Sequence, residues 1–277
     1  MNFWKMSGAG NDFIMINNSK EKIPKEKFPA IARRLCQRHI SIGADTIMVI
    51  EKSTEADVKA LMFNADGSEA EMCGNGVRCI ARYAWEEKMA GNPVRIETIA
   101  GLTEIERITN REYRGKFQSL SVFKPGGKAA VNGKEYSYTY VELGNPGVPH
   151  IMVPVGNLRN VDRDNLFKDG YSLRHLSDFP KGANVNFYEI LDDKTVDLVT
   201  WERGVEAFTF ACGTGTVSTV LALKLQKMIA SDMVKVMVPG GILKVELFEK
   251  AENDYDVFLS GDTNIVCKGE VTDEDLI

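Results

Sequence analysis

The stretch FNADGSEAEMCGNGVRCIAR, residues 63–82, decides how this chain is read. A polar, glycine-punctuated loop leads to Cys73, held between Met72 and Gly74, and Gly76 follows. Val77, Ile80, Ala81, Ala84 and Trp85 then recur at the spacing of one helix face. Cys73 is therefore expected at, or just before, a helix N-terminus, where unpaired backbone N–H groups favour both a thiolate and a bound anion. The same device returns at Ala211-Cys212-Gly213-Thr214-Gly215-Thr216, ahead of Val217, Val220, Leu221, Leu225 and Met228.

Outward from these turns the pattern repeats. Residues 3–16 alternate like a strand interrupted by a polar turn at Gly8, Gly10 and Asn11. Lys25 to Arg38 is expected to be a helix opened by Pro24, with Phe28, Ile31, Ala32, Leu35 and Cys36 on one face, so Cys36 belongs to the core. Strands are expected at 46–50 and 58–63, then the Cys73 helix, then a hairpin over 94–108 around Gly101. From about residue 118 strands come again near 138–143, 151–155, 185–191 and 196–201, then the Cys212 helix and a hairpin-rich tail. Long-period self-similarity of this kind implies duplication. The expected fold is α+β, with two pseudo-symmetric halves, each a mixed or antiparallel sheet wrapped around a central helix, and an active site in the cleft between them. The halves are expected at 1–117, with a returning C-terminal strand at 264–277, and at 118–263.

Composition narrows the function classes. The 277 residues suffice for two cores, and 44% hydrophobic with 26% charged residues is ordinary for a soluble protein. A net charge of −5 argues against a nucleic-acid partner. No apolar run reaches the ~20 residues of a membrane span, so no membrane partner is expected. The opening MNFWKMSGAGNDF has neither the charged region nor the apolar region of a secretory signal. The five cysteines are odd in number and irregularly spaced, which favours a reducing cytoplasm. No metal site is expected: there is no Cys-x-x-Cys pair, and His39, His150 and His175 are scattered.

Two thiols flanking one carbon suit the movement of a proton from one face of a stereocentre to the other. One cysteine, as thiolate, removes the proton, and the other, as thiol, donates one to the opposite face. Backbone N–H groups at the two helix N-termini would stabilise charge building on an adjacent carboxylate. A nucleophilic Cys–His pair using His150 is the competing chemistry, but it leaves the second Cys-Gly-x-Gly unexplained. A non-catalytic thiol or metal-binding module is the alternative outside enzymes. Cys79 and Cys267 read as structural.

The sequence resembles the diaminopimelate epimerase family along essentially its whole length. The resemblance rests on Lys5-Met6-Ser7-Gly8-Ala9-Gly10-Asn11-Asp12-Phe13, Ile42-Gly43-Ala44-Asp45, Phe63-Asn64-Ala65-Asp66-Gly67-Ser68 and Met72-Cys73-Gly74-Asn75-Gly76-Val77-Arg78. It continues in Glu97-Thr98-Ile99-Ala100-Gly101, Val148-Pro149-His150, Asn184-Val185-Asn186-Phe187, Glu202-Arg203-Gly204 and Ala211-Cys212-Gly213-Thr214-Gly215. It implies an isomerase of lysine biosynthesis that works without a cofactor, as a homodimer, on a small amino-acid substrate. Cys73 and Cys212 are implied as the acid/base pair, and Gly74, Asn75, Gly213 and Thr214 as the cradle of the reacting carboxylate. His150 and Glu202 are implied as the polar neighbours that position the amino group and tune the thiols. Asn11, Asn64, Asn184 and Arg203 are implied as binders of the substrate's polar groups, with Arg203 on the distal carboxylate. By themselves the asparagines read as turn residues. The chain departs from the family at Val148, where many members have Asn, at Phe208, where an acidic residue is common, and at Thr46, where some have a longer amide. These departures bear on the distal pocket, and they keep a cofactor-independent racemase of another amino acid as the alternative.

Overall fold

The structure, a computed structural model, describes residues 1–272. Residues 1–115 with residues 260–272 form one compact unit, and residues 116–259 form the other. The last five residues of the expected returning segment, 273–277, lie outside the described residues.

In the first unit, β1 (Asn2–Gly8) and β2 (Asn11–Asn17) make an antiparallel hairpin. The short α1 (Asn18–Glu21) and then α2 (Phe28–Leu35) cross over, so β3 (Thr46–Glu51) lies parallel to β2. Antiparallel β4 (Val58–Asn64) follows and carries the two-residue β5 (Glu69–Ala70). Helix α3 (Gly74–Glu86) makes the second crossover, to β6 (Val94–Thr98), which is parallel to β4. β7 (Gly101–Arg107) and β8 (Glu112–Phe117) continue antiparallel.

The second unit repeats this order. β9 (Leu120–Val131), β10 (Lys134–Leu143) and β11 (Val148–Pro154) run antiparallel. Helix α4 (Arg163–Arg174) crosses to β12 (Asn184–Asp192), parallel to β11. Antiparallel β13 (Thr195–Glu202) carries the two-residue β14 (Ala207–Phe208). Helix α5 (Gly213–Leu225) then crosses to β15 (Met233–Val238), parallel to β13, and β16 (Gly241–Ala251) pairs antiparallel with β15. β17 (Asp254–Asp262) leads out, and β18 (Asn264–Glu270) joins the first unit beside β1.

Alternation along the strands explains why each sheet takes a helix on both faces. Phe13, Met15, Met48, Ile50, Ala60 and Met62 pack under α3, with its Val77, Ile80 and Ala84. Their neighbours Ile14, Ile16, Ile47, Val49, Leu61 and Phe63 pack under α2, with Phe28, Ile31 and Leu35. Strands buried on both faces read as unbroken apolar runs such as TIMVI, which is what residues 46–50 are. Helix α5 is buried all round from Gly215 to Leu223, as a helix surrounded by sheet must be. Two of its core hydroxyls are satisfied locally: Thr216 and Thr219 each donate at 2.8 Å to the carbonyl four residues back.

Three helices differ from expectation, the first being the four-residue α1, which no apolar periodicity announces. The helix expected over Lys25–Arg38 splits into a 3-10 turn at Lys25–Lys27 and α2, because Pro29 has no N–H and belongs in a first turn, which begins the α-helix at Phe28. Helix α4 was not expected at all. Its RDNLFKDGYSLR carries little apolar periodicity, although Asp162 caps it through hydrogen bonds from Asp164 and Asn165 N–H.

Candidate active-site residues

Both cysteines are helix N-caps with extended backbone. Cys73 Sγ accepts from Gly76 N–H at 3.3 Å, and Cys212 Sγ accepts from Gly215 N–H at 3.4 Å. A donor of this kind, together with the positive end of the helix, stabilises a thiolate relative to a thiol.

Around Cys73, which is half-buried, side chains lock the first turn of α3. Asn75 is 5% exposed and commits both ends of its amide: Nδ2 donates to Asn11 Oδ1 at 2.8 Å, and Oδ1 accepts from Arg78 Nη2 at 2.7 Å. Asn11 in turn donates to Asp45 Oδ2 at 3.0 Å, and Arg38 holds the other oxygen of Asp45 at 2.8 Å. A continuous chain thus runs Arg38–Asp45–Asn11–Asn75–Arg78. The Asn75 side chain is spent on structure, so what it offers an anion is its backbone N–H beside that of Gly74. Arg78 is 2% exposed, also donates to Gly74 O at 3.2 Å, and meets no carboxylate among the described residues. Burial pulls its pKa down, while the nearby Cys79 and Cys73 oppose that shift. A guanidinium with no carboxylate beside it, bonded to the first turn, adds to the positive potential at Cys73. Asn64 sits at the end of β4 and donates to Ser68 Oγ at 3.0 Å.

The Cys212 surroundings differ. Burial pushes this thiol up to about 12, the charge of Glu202 adds to the rise, and the Thr214 hydroxyl and the Gly215 and Thr214 N–H groups oppose it. Burial raises Glu202 as well. Cys212 therefore rests as a thiol at neutral pH. Its raised pKa favours folding below the ordinary value of 9.0, and that contribution falls away as pH climbs towards about 12. In the ligand-free protein, iodoacetamide labelling of Cys212, followed by mass spectrometry, is expected to keep accelerating through about pH 10. A plateau near pH 9.0, the ordinary thiol value, would contradict the assignment.

His150 is fully buried, and its pKa falls to about 3 through burial and, secondarily, the charge of Arg203. Asn184 caps the turn after β13: its Oδ1 accepts from Arg203 N–H at 2.8 Å, and its Nδ2 donates to Pro149 O at 3.2 Å. The Arg203 guanidinium donates to Lys181 O at 3.3 Å and faces no carboxylate among the described residues, so it can accept an anion. Gly213 and Thr214 form the first turn of α5, and the Thr214 hydroxyl lies 3.3 Å from Cys212 Sγ.

Two glycines in matching positions predict unequal tolerance. A Cβ at Gly76 would meet the flexible end of Met48, whereas one at Gly215 would meet Asn186 Oδ1 and Thr200 Oγ1, which bond each other. Gly76→Ala is expected near neutral in thermal unfolding, because the helix propensity gained, about 1 kcal/mol, offsets a small displacement. Gly215→Ala is expected to cost about 1–3 kcal/mol. Equal melting temperatures for the two variants would show that Asn186 moves freely.

Phe208 has an internal explanation. It packs edge-on to Trp201, with centroids 5.5 Å apart at 84°, and Phe167 of α4 packs on Trp201 at 4.2 Å. Its aromatic ring thus serves the core under α4. Sequence patterns passed over Arg78, Asp45, Asn186 and Thr200. The signal available was polar residues at inward strand positions, as in Asn184-Val185-Asn186-Phe187.

A family model described as diaminopimelate epimerase matches residues 3–120 and 143–266. The chain is 37% identical to the diaminopimelate epimerase of Aquifex aeolicus over 287 residues, covering 99% of each. It is 39% identical to that of Archaeoglobus fulgidus over 259 residues, covering 89% of each. Among solved structures, a phenazine biosynthesis protein of the PhzF family from Bacillus anthracis aligns with a TM-score of 0.75 at 16% identity, covering 98% of both chains. A probable proline racemase from Agrobacterium radiobacter K84 gives 0.69 at 15%, covering 99% of this chain and 95% of that one. At such identity these two speak for the fold alone. The full-length likeness in sequence, with both cysteine-capped helices inside the matched residues, places the chain in a family: it belongs to the diaminopimelate epimerases.

Proposed function

We propose that the protein interconverts LL- and meso-diaminopimelate by two-thiol proton transfer, without a cofactor. The observation that carries this is the pair of cysteines, each N-capping a helix at the same place in a duplicated unit. In one direction Cys73, half-buried at a helix start backed by the Arg78 cation, acts as the thiolate base. Cys212, a thiol at neutral pH, is the acid that delivers a proton to the opposite face. In the other direction the roles exchange, and Glu202 is the neighbouring group able to receive the Cys212 proton. Backbone N–H groups of both first turns supply the preorganised stabilisation that an α-carbanion next to a carboxylate requires.

The test is an incubation of purified protein with LL-diaminopimelate in deuterium oxide, without added pyridoxal phosphate. Meso product carrying one deuterium at the inverted carbon is expected. Failure to convert diaminopimelate, together with racemisation of a different amino acid, would move the assignment to a broader racemase.

A further inference from the structure

His150, Asn186 and Thr200 form a buried polar chain that the fold itself does not require. Thr200 Oγ1 donates to Asn186 Oδ1 at 2.9 Å, and Asn186 Nδ2 lies 3.0 Å from His150 Nδ1 and donates to Ile151 O at 3.3 Å. His150 and Asn186 are wholly buried and Thr200 nearly so. The first unit shows the alternative. There Phe13 pairs with Thr46 as His150 pairs with Asn184, and Met48 pairs with Met62 as Asn186 pairs with Thr200. The equivalent positions are Phe13, Met48 and Met62, an apolar set that fills the same place under the other helix. Burying polar groups where apolar ones serve is costly unless they do something.

The hydrogen bonds determine the state of the imidazole. A backbone carbonyl only accepts, so the atom of Asn186 facing Ile151 O is its NH2 group, and Oδ1 is turned to Thr200. The same NH2 group faces His150 Nδ1, which therefore accepts and carries no proton. In a neutral ring the proton is then on Nε2. A doubly protonated ring would set Nδ1–H against N–H, and the nearby Arg203 also disfavours it. His150 Nε2 is buried with no partner among the described residues. A buried donor without an acceptor is an arrangement that an incoming acceptor relieves.

We propose that Asn186 and Thr200 are positioning residues that hold His150 as the neutral Nε2–H tautomer, so that His150 donates a hydrogen bond during the reaction and does not take up a proton. That the acceptor is an oxygen of the substrate or a cysteine thiolate rests on the epimerase function proposed above; the tautomer does not.

Nitrogen-15 NMR of histidine-labelled protein tests this directly, because the chain has three histidines and His150→Gln identifies the resonances of interest. At neutral pH and without substrate, His150 is expected to show a pyridine-type Nδ1 and a pyrrole-type Nε2 bearing the proton. Asn186→Asp puts a carboxylate against Nδ1, and it should move the proton to Nδ1 or protonate both nitrogens, with kcat falling about 10- to 100-fold. Thr200→Ser should keep both the tautomer and the activity, whereas Thr200→Val should lose part of each. A proton on Nδ1 in the unmodified protein, or an unchanged spectrum in a folded Asn186→Asp variant, would overturn the proposal. If Asn186→Asp does not fold, the unmodified spectrum still decides. A protein that shows Nε2–H but does not epimerise diaminopimelate would keep the tautomer and lose only the named acceptor.

Discussion

Cys73→Ala and Cys212→Ala are each expected to lower inversion by about a thousandfold or more, within and beyond the range typical of losing a general acid or base. In the proposed two-thiol mechanism each face of the stereocentre has one proton carrier, and alanine offers none. The more telling result is what survives. With one thiol left, a variant can still remove an α-proton from the face it serves and return a deuteron to the same face. Each variant is therefore expected to exchange the α-hydrogen of only one stereoisomer with solvent, without inverting it, and the two variants should prefer opposite isomers. Cys36→Ala is the control, since Cys36 lies in the core under α2, and it should retain most activity. A Cys73 or Cys212 variant that inverts diaminopimelate within about tenfold of the unmodified rate would reject the two-thiol mechanism.

The second large effect concerns the far end of the substrate. Arg203 has a backbone carbonyl as its guanidinium partner and no carboxylate among the described residues. Its backbone is fixed by Asn184, whose amide is itself tied to Pro149. In the proposed function this cation pairs with a carboxylate brought by the substrate. An amino acid lacking that carboxylate forgoes a charge-assisted hydrogen bond to this half-exposed guanidinium, a loss of about 1.5–3 kcal/mol, or roughly ten- to 150-fold in kcat/KM. Diaminopimelate is therefore expected to be epimerised far better than lysine, with Arg203→Met narrowing the gap. Val148 makes one wall less polar, but an apolar wall does not neutralise a charge. Phe208 is taken up by its edge-on packing against Trp201. Comparable kcat/KM for lysine and diaminopimelate would instead favour a racemase of wider scope.

The sequence by itself determined the duplication, the family and the position of both cysteines. These are local properties: a glycine-rich turn before an apolar stripe specifies a helix start whatever surrounds it, and the turn was written twice. The strands of the first unit were legible for the same reason, because sheets covered on both faces leave long apolar runs. Tertiary structure decided what local patterns do not carry. Helix α4 has too few apolar residues to announce itself and is held through its Phe167 packing on Trp201. Asn75 carries the look of a ligand, yet its amide is consumed between Asn11 and Arg78. The matching thiols become unequal only because one is buried beside Glu202 and the other is half-exposed beside a buried arginine. Asn186 and Thr200 lie on different strands, and only the register of β12 on β13 brings them together. Burial and hydrogen-bond partnership depend on residues distant in the chain, so the protonation of this site was set by packing and not by motif.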